Sequence, residues 1–233
     1  RCAAYCEMDG YVSANQTGYV YSKALKENNV EIIENFEVSE INNKNNNYEI
    51  LSNNGSKINA SKIVLAAGVY LEKVLRLLNI NINIKCFPQQ LIVTERMPEL
   101  LKTVITVAHG KLSLKQFENG TVLIGGGWPG IGSIESDYNE TKPENLIGNM
   151  RLACHAIPNL KNSRVSRVWL GLEAETDDAM PIIGELPNLE NAYVIGSIHS
   201  GYTSGPYMGL LLAEKILGKD TDLSLFDIRR LIN

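Results

Sequence analysis

Residues 192–217 read AYVIGSIHSGYTSGPYMGLLLAEKIL and predict a strand, a loop of small residues and a helix, in that order. The apolar run Ala192–Ile195 is typical of a short buried strand. Pro206 is expected in the first turn of the helix, with Thr203 or Ser204 as its cap. Apolar residues recur at helical spacing after it: Met208, Leu211, Leu212 and Ile216.

This junction has a chemical consequence. Backbone N–H groups and the positive end of a helix dipole would face the loop, and Gly201 and Gly205 would let a flat or anionic ligand approach the backbone. A second apolar run, Ile63–Gly68, is typical of a central parallel strand that ends where a ligand can lie. The alternatives are an ordinary packed strand–helix junction and simple strand termination.

Composition excludes several classes of protein. The 233 residues are 44% hydrophobic and 21% charged, which is ordinary for a globular protein. A net charge of −4 without a basic stripe argues against a nucleic-acid partner. No apolar run is long enough to cross a bilayer, and no basic-then-apolar signal segment opens the chain. We therefore predict a cytoplasmic location and no transmembrane segment.

The cysteines and histidines do not form a recognisable metal or nucleophile motif. Cys2, Cys6, Cys86 and Cys154 contain no CxxC pair, and no pair stands near a histidine at zinc-finger spacing. We expect buried reduced thiols and no metal site, with a metal site or a disulfide as the alternative. The G-x-S-x-G elbow of serine hydrolases is also absent from the sequence.

Hydrophobic periodicity predicts an α/β (α+β) fold with an inserted sheet. Helices are expected over Asn15–Asn28, Glu72–Leu78 and Pro143–Ile157. The predicted strands are Val30–Ile33, Phe36–Ile41, Tyr48–Leu51, Ile63–Gly68, Ile80–Thr94, Val104–Val107, Lys111–Phe117, Thr121–Ile124, Ser163–Leu172, Ile182–Gly184 and Ala192–Ile195. Hairpin turns are expected at Asn42–Asn47, at Asn53–Ser56 and at Asn119-Gly120. Residues 79–179 then form a mostly antiparallel β-sheet domain, inserted between the two parts of another domain, 1–78 and 180–233.

The most specific motif runs from Trp169 to Gly184 and fits W-x-G-x-x-x-x-T-x-D-x-x-P-x-x-G at every fixed position. With Ala66-Ala67-Gly68, Gly125–Trp128 and the loop at His199, it resembles the D-amino-acid oxidase superfamily of FAD-dependent oxidoreductases. Within that superfamily the chain is similar to the glycine oxidases and to the sarcosine oxidase β chains. Asp9–Val12 and Gln90–Glu95 resemble the family's D-G-x-V and Q-x-x-V-T-E segments.

The resemblance implies FAD as cofactor and a partial Rossmann-like FAD-binding domain around a substrate-binding sheet flanked by helices. The family begins with a βαβ unit that bears G-x-G-x-x-G and an acidic residue for the adenosine ribose; this sequence does not open with such a unit, and Arg1 stands past the family's first third. We therefore expect the C-terminal part of a longer enzyme, which alone binds FAD poorly or not at all and is inactive. An FAD-free family member is the alternative.

The resemblance also assigns site residues. Val38 matches the position whose backbone faces the adenine, and Ala67 and Gly68 match the loop beside the diphosphate. The segment Gly196 to Ser204 matches the loop around the flavin ring, whose cofactor-binding members are Gly196, Ser197, His199, Ser200, Gly201, Tyr202, Thr203 and Ser204. Reduced flavin carries negative charge near this loop, which suits backbone N–H donors.

Two residues are candidate substrate contacts. Glu173 stands where glycine oxidases have an arginine for the substrate carboxylate, and we hypothesise that Glu173 faces an amine instead. His199 falls on another substrate-facing position. A solvated strand residue is the alternative interpretation for Glu173, and Trp169 is expected in the core rather than in the site.

The function implied by the resemblance is oxidation of a small amino acid or secondary amine, such as glycine, sarcosine or proline. A hydride would pass from the α-carbon to flavin N5, with no side chain required as a catalytic base. The electron acceptor, O2, a quinone or a partner subunit, is left open, and a hetero-oligomer with an electron-accepting subunit is expected. The alternatives are a family member acting on a 2-hydroxy acid or another substrate, and a flavin-free binding or structural subunit.

Overall fold

A computed structural model describes residues 3–45, 47–135 and 139–232. The chain divides into two compact units, one of residues 1–33 and 88–171 and one of residues 34–87 and 172–233. The helices are α1 (Ala14–Glu27), α2 (Leu71–Arg76), α3 (Pro143–Ala156) and α4 (Gly201–Ile216). The strands are β1 (Val38–Lys44), β2 (Asn47–Ser52), β3 (Lys57–Ala60), β4 (Ile63–Leu65), β5 (Lys85–Thr94), β6 (Ile105–Thr106), β7 (Ser113–Gln116), β8 (Val122–Gly125), β9 (Ile131–Gly132), β10 (Asn139–Glu140), β11 (Val165–Glu175), β12 (Ile182–Glu185) and β13 (Ala192–Gly196).

The unit of residues 34–87 and 172–233 contains two small sheets. One is the antiparallel meander β1-β2-β3, and the other has the order β12-β13-β4, in which β13 is antiparallel to β12 and parallel to β4. Leu65, Leu71, Ile182 and Val194 belong to one buried apolar cluster in this unit. The parallel β4–β13 pair is the element that positions the candidate site, because the carboxyl ends of both strands leave the sheet at one edge.

The unit of residues 1–33 and 88–171 is built on an open sheet of order β11-β5-β8-β7-β6. The pairs β5–β8, β8–β7 and β7–β6 are antiparallel. Helix α3 lies on one face, where Ala153 is buried with Ile92, Leu114 and Ile124. The Asn149 side-chain amide also donates to the Gly125 carbonyl over 3.0 Å, which ties α3 to β8. These observations confirm the predicted sheet of mainly antiparallel strands with a flanking helix.

The structure corrects three predictions about secondary structure. Val30–Ile33 is not a strand, because it pairs with no other strand among the described residues and Ile32 and Ile33 are each 47% exposed. β4 is parallel as predicted, but it is three residues long and lies at the edge of its described sheet, so Val64 is 44% exposed. Around Asn42–Asn47 the strands extend into the predicted turn, so that Lys44 already pairs with Asn47.

Other sequence predictions concern the chain as a whole. The compact units group residues 1–33 with the large sheet, whereas the sequence predicts domains of 1–78 with 180–233 and of 79–179. It stays a prediction that the first of these domains binds FAD and that the second binds the substrate. Within the described residues Cys6, Cys86 and Cys154 form no disulfide, and Cys6 is exposed rather than buried as predicted. Cys2 lies outside the described residues. Within the described ranges, none of the helices has the length and apolar character needed to span a membrane.

Candidate functional site

The centre of the site is the edge where β4 and β13 end side by side. Val194 lies opposite Leu65 in the parallel pair, so Ala66 and the residues after Ile195 leave the sheet at the same edge. After β4 the chain turns through Ala67 into a short 3₁₀ helix, where Gly68 has a φ of +56°. A Cβ at Gly68 would meet no atom within 4 Å, so the space beside this turn is open. The strand pairing thus places Ala67–Gly68 and Gly196, which the resemblance assigns to different parts of the cofactor, at the same edge of the sheet.

Gly196 lies in close contact with helix α2. A Cβ at this position would lie 2.5 Å from Cδ2 of Leu71, the first residue of α2, and Leu71 is fully buried. Carbon atoms in contact are normally separated by about 3.5–4.0 Å, so no larger residue fits without displacing Leu71. Glycine at the end of β13 therefore allows α2 to approach the strand closely.

The loop after β13 is strained and short. Ser197 (φ +49°) and Ser200 (φ +55°) are both left-handed, a conformation that non-glycine residues adopt at an energetic cost. The Ser197 hydroxyl oxygen is buried and has no hydrogen-bond partner among the described residues. Such backbone strain and such an unsatisfied polar atom are characteristic of ligand sites.

Helix α4 begins earlier than the sequence predicts. It starts at Gly201, because the N–H groups of Thr203 and Ser204 both donate to the Ser200 carbonyl. Pro206 consequently lies inside the helix rather than in its first turn, and neither Thr203 nor Ser204 is the cap. The N-cap residue is Ser200, and its side chain makes no capping hydrogen bond. Because the helix begins directly after the loop, its positive end faces the loop without a side-chain cap. Residues 201–204, including Tyr202, form its first turn rather than a free loop.

Glu173 and His199, the two predicted substrate contacts, lie side by side. Glu173 Oε1 is 3.1 Å from His199 Nδ1, and the side chains are 31% and 63% exposed. Glu173 is near the end of β11, while His199 is in the loop before α4. Because Glu173 is partly exposed, its carboxylate can accept hydrogen bonds from a bound amine while one of its oxygens contacts His199.

The T-x-D segment of the long motif has a structural role. The Thr176 hydroxyl is 2.7 Å from Asp178 Oδ1 and 2.8 Å from the Met180 carbonyl, and Met180 N–H donates to the same Asp178 oxygen over 3.0 Å. Arg230 donates to Asp178 Oδ2 over 2.7 Å. The hydrogen bond from the Arg230 guanidinium holds the pKa of the Asp178 carboxyl well below its usual range, assisted by Thr176 and the Met180 amide.

Arg230 is the residue of this network that the sequence patterns do not reveal. It also donates to the carbonyls of Met180 and Pro181, over 2.9 and 3.1 Å, and so fixes the turn between β11 and β12. The motif around Thr176 does not indicate it, since Arg230 is 52 residues away from Asp178 in the chain. Only a search for a cationic partner of Asp178 near the carboxyl end could have found it.

Val38, the predicted adenine contact, stands at the start of β1 in the meander. It pairs with Ser52, just before a register shift that precedes Glu40. Its side chain is half-buried and packs against the same apolar cluster that contains Leu65 and Leu71. Its role toward adenine stays a prediction.

A protein-family model described as "FAD dependent oxidoreductase" (DAO) matches residues 1–215. The chain belongs to the DAO family of FAD-dependent oxidoreductases. Among curated DAO-family relatives, one subunit of the opine oxidase of Rhizobium meliloti is 27% identical over 97% of this chain and 58% of its own length. Glycine oxidase of Geobacillus kaustophilus is 23% identical over 98% of this chain and 60% of its own length.

The structural comparison supports the same fold. The crystal structure of L-proline dehydrogenase from P. horikoshii matches 93% of this DAO-family chain and 59% of its own chain, with a TM-score of 0.83 and 24% identity. The chain therefore spans somewhat more than half the length of these three proteins. The resemblance to the glycine oxidases and the flavoenzyme fold predicted from the motifs are both confirmed.

The residues at the β4–β13 edge are suited to part of the family's cofactor. Gly68 leaves open space, Ser197 presents a buried hydroxyl without a partner among the described residues, and α4 directs its positive end at the loop. These features suit a flat group with partial negative charge. The G-x-G-x-x-G spacing at Gly125, Gly127 and Gly130 follows strand β8 of the antiparallel sheet and leads into β9 instead of a helix, so it is not the strand–loop–helix cradle that binds a dinucleotide pyrophosphate.

Proposed function

We propose that this chain forms the substrate-binding sheet and the flavin-facing loop of a longer FAD-dependent enzyme that oxidises a small amino acid or secondary amine. The substrate would be of the glycine, sarcosine or proline type. Family membership supports the flavin chemistry, and the names of two relatives, a glycine oxidase and an L-proline dehydrogenase, support the substrate class. The single observation that carries the proposal is the contact of Glu173 with His199, immediately before α4.

In this proposal the cofactor lies along the β4–β13 edge. FAD, when bound, supplies the acceptor for the electron pair of the substrate C–H bond. Ala67 and Gly68 would lie along its diphosphate, Gly196 to Ser204 along its ring system, and Val38 beside its adenine. Backbone N–H groups in this loop and the dipole of α4 favour negative charge on the ring without a charged side chain.

Glu173 would hold the substrate amine. A carboxylate accepts hydrogen bonds from an ammonium or secondary amine, and it cannot bind the substrate carboxylate as an arginine would. His199 would orient Glu173 through the 3.1 Å contact. A histidine or lysine elsewhere in the longer protein would then take the substrate carboxylate.

The test is a Glu173→Gln variant of the protein expressed from its complete coding sequence. Dye reduction is measured with glycine, sarcosine and proline, and with 2-hydroxy acids as the competing substrate class. We expect Glu173→Gln to raise KM for the amine about tenfold or more, since a charged hydrogen bond is lost. Glu185→Gln, at an exposed position at the end of β12, is the matched control and should behave like wild type.

Three results would reject the proposal. Unchanged amine kinetics in Glu173→Gln would show that Glu173 does not bind the amine. Turnover of 2-hydroxy acids but not of amines would show that the substrate is a 2-hydroxy acid instead. A purified protein without flavin absorbance would favour the non-enzymatic subunit.

The proposal extends to partners and location. One relative is named as a subunit of an oxidase, so we propose a hetero-oligomer with an electron-accepting subunit. We also propose a cytoplasmic location. Turnover measured in an oxygen electrode, with and without an added quinone, distinguishes O2 from the other electron acceptors. If reoxidation of the reduced enzyme needs a co-purifying protein, that protein is the partner subunit.

A further inference from the structure

The unit of residues 1–33 and 88–171 contains a groove of about 1240 Å³, which shares no lining residue with the Glu173–His199 pair. Its floor comes from β5, β7, β8 and β11. Its rim is the segment before α1, from Tyr11, together with the first turns of α1. Tyr11 anchors this rim, because its hydroxyl donates to the Gln116 carbonyl over 2.7 Å.

The floor of the groove is one face of the antiparallel sheet. Val93 lies opposite Leu123, and Leu123 lies opposite Lys115. Residues paired in this way project from the same face, so these three side chains form a row across three strands. Helix α3 covers the other face, where Leu114 and Ile124 are fully buried. The groove therefore lies on the face that α3 does not cover.

Two cationic side chains in the groove are held against aromatic rings. Lys115 Nζ is 5.5 Å from the ring centroid of Tyr11 and 5.7 Å from that of Phe117. Arg167 Cζ is 5.1 Å from the ring of Trp169. Cation–π contacts of this kind orient a cation without neutralising its charge.

The described residues supply no carboxylate partner for either cation. Across residues 3–45, 47–135 and 139–232, no carboxylate forms an ion pair with Lys115 or Arg167. Glu118 also lines the groove and pairs with neither. Among its described lining residues, the groove thus has two cations without a carboxylate partner and one acid.

The positions of the two cations define the shape of a ligand. In the sheet order β11-β5-β8-β7, the strands that carry Arg167 and Lys115 are three intervals apart, or about 14 Å at a strand spacing of ~4.8 Å. Val93 and Leu123 belong to the two strands between them. The floor is therefore apolar in the middle and cationic at each end.

We propose that this groove binds a linear organic dianion with an apolar middle, of the chemical class of the α,ω-dicarboxylates. One carboxylate lies at Lys115, the other lies at Arg167, and the hydrocarbon body covers Val93 and Leu123. This site is additional to the proposed oxidation of amines and does not depend on it, because its residues come from a different set of side chains.

The test is calorimetric titration of the full chain with suberate, octanoate and octanediol in a buffer without carboxylates. Suberate should bind most tightly, octanoate about tenfold more weakly, and the neutral diol not measurably, because each carboxylate removed loses one charged contact. Lys115→Gln and Arg167→Gln should each lower suberate affinity about tenfold. Lys102→Gln, an exposed lysine of the same unit outside the groove, is the matched control.

Two further measurements distinguish a specific loss of binding from misfolding of a variant. Circular dichroism of each variant should match wild type, and suberate binding to the unmodified chain should weaken as salt is raised, because charge attraction in an open groove is screened. Equal binding of suberate and octanediol, salt-independent binding, or wild-type affinity in both glutamine variants would overturn the proposal.

Discussion

Substitution of Gly196 by alanine tests whether the close approach of α2 to β13 requires glycine. The added Cβ would lie 2.5 Å from Leu71 Cδ2, about 1 Å closer than a normal carbon contact. Leu71 is fully buried and cannot move its side chain into solvent. Overpacking of this kind costs about 2 kcal/mol, so Gly196→Ala should lower the free energy of unfolding by about that amount.

A double-mutant cycle makes this prediction specific to the two residues. Leu71→Ala alone should cost about 3 kcal/mol through the cavity it leaves. In the double variant the new methyl group occupies part of that cavity, so the combined loss should stay near ~3 kcal/mol instead of reaching about 5 kcal/mol. The predicted coupling is therefore about 2 kcal/mol in favour of the pair.

The assay is urea unfolding of the four proteins, followed by far-ultraviolet circular dichroism. This signal is appropriate because Trp128 and Trp169 both lie in the other compact unit, so their fluorescence does not report directly on Gly196. Additive losses, with a coupling below about 0.5 kcal/mol, would refute the argument that these two residues compete for the same space.

Two further predictions concern the turn at Asp178 and the end of β8. Because the folded-state pKa of Asp178 is lowered by Arg230, its carboxylate stabilises the fold above the unfolded pKa of about 3.9, and this contribution is lost as the pH falls from there through the folded-state pKa. Urea unfolding of wild type and Asp178→Asn should differ clearly at neutral pH and converge in acid; a gap that is constant with pH would contradict this. Gly126 has a φ of +121°, and a Cβ there would overlap the backbone nitrogen and Cα of Leu112, so Gly126→Ala should cost about 3 kcal/mol or more by tryptophan fluorescence. Gly127→Ala, with a φ of +81° and open space, is its control and should cost only about 1–2 kcal/mol, and equal losses would show that the clash is unimportant.

Local patterns predicted most of the regular elements. The apolar periodicity after Pro143, and a proline suited to a first turn, predicted the helix α3, which the structure contains at Pro143–Ala156. The turn residues at Asn53–Ser56 and Asn119-Gly120 predicted two connections that the structure also contains. These predictions succeeded because each depends on the conformational preferences of a few neighbouring residues.

Predictions failed where an element depends on contacts that local composition does not specify. Val30–Ile33 has the composition of a strand, but a strand needs a neighbour to pair its backbone groups, and the described residues provide none. The start of α4 was predicted too late, because Pro206 indicated a first turn. The left-handed conformation of Ser200 instead lets its carbonyl accept the N–H groups of Thr203 and Ser204, so the helix begins before the proline.

The sequence by itself determined the family, because the spacing from Trp169 to Gly184 is a property of the chain that needs no coordinates. It also placed Glu173 and His199 among the candidates. Only the tertiary structure decided that these two side chains lie 3.1 Å apart, that Arg230 holds Asp178, and that Lys115 and Arg167 share a groove. The physical reason is that such contacts join residues far apart in the chain, and strand pairing and packing alone determine which of them meet.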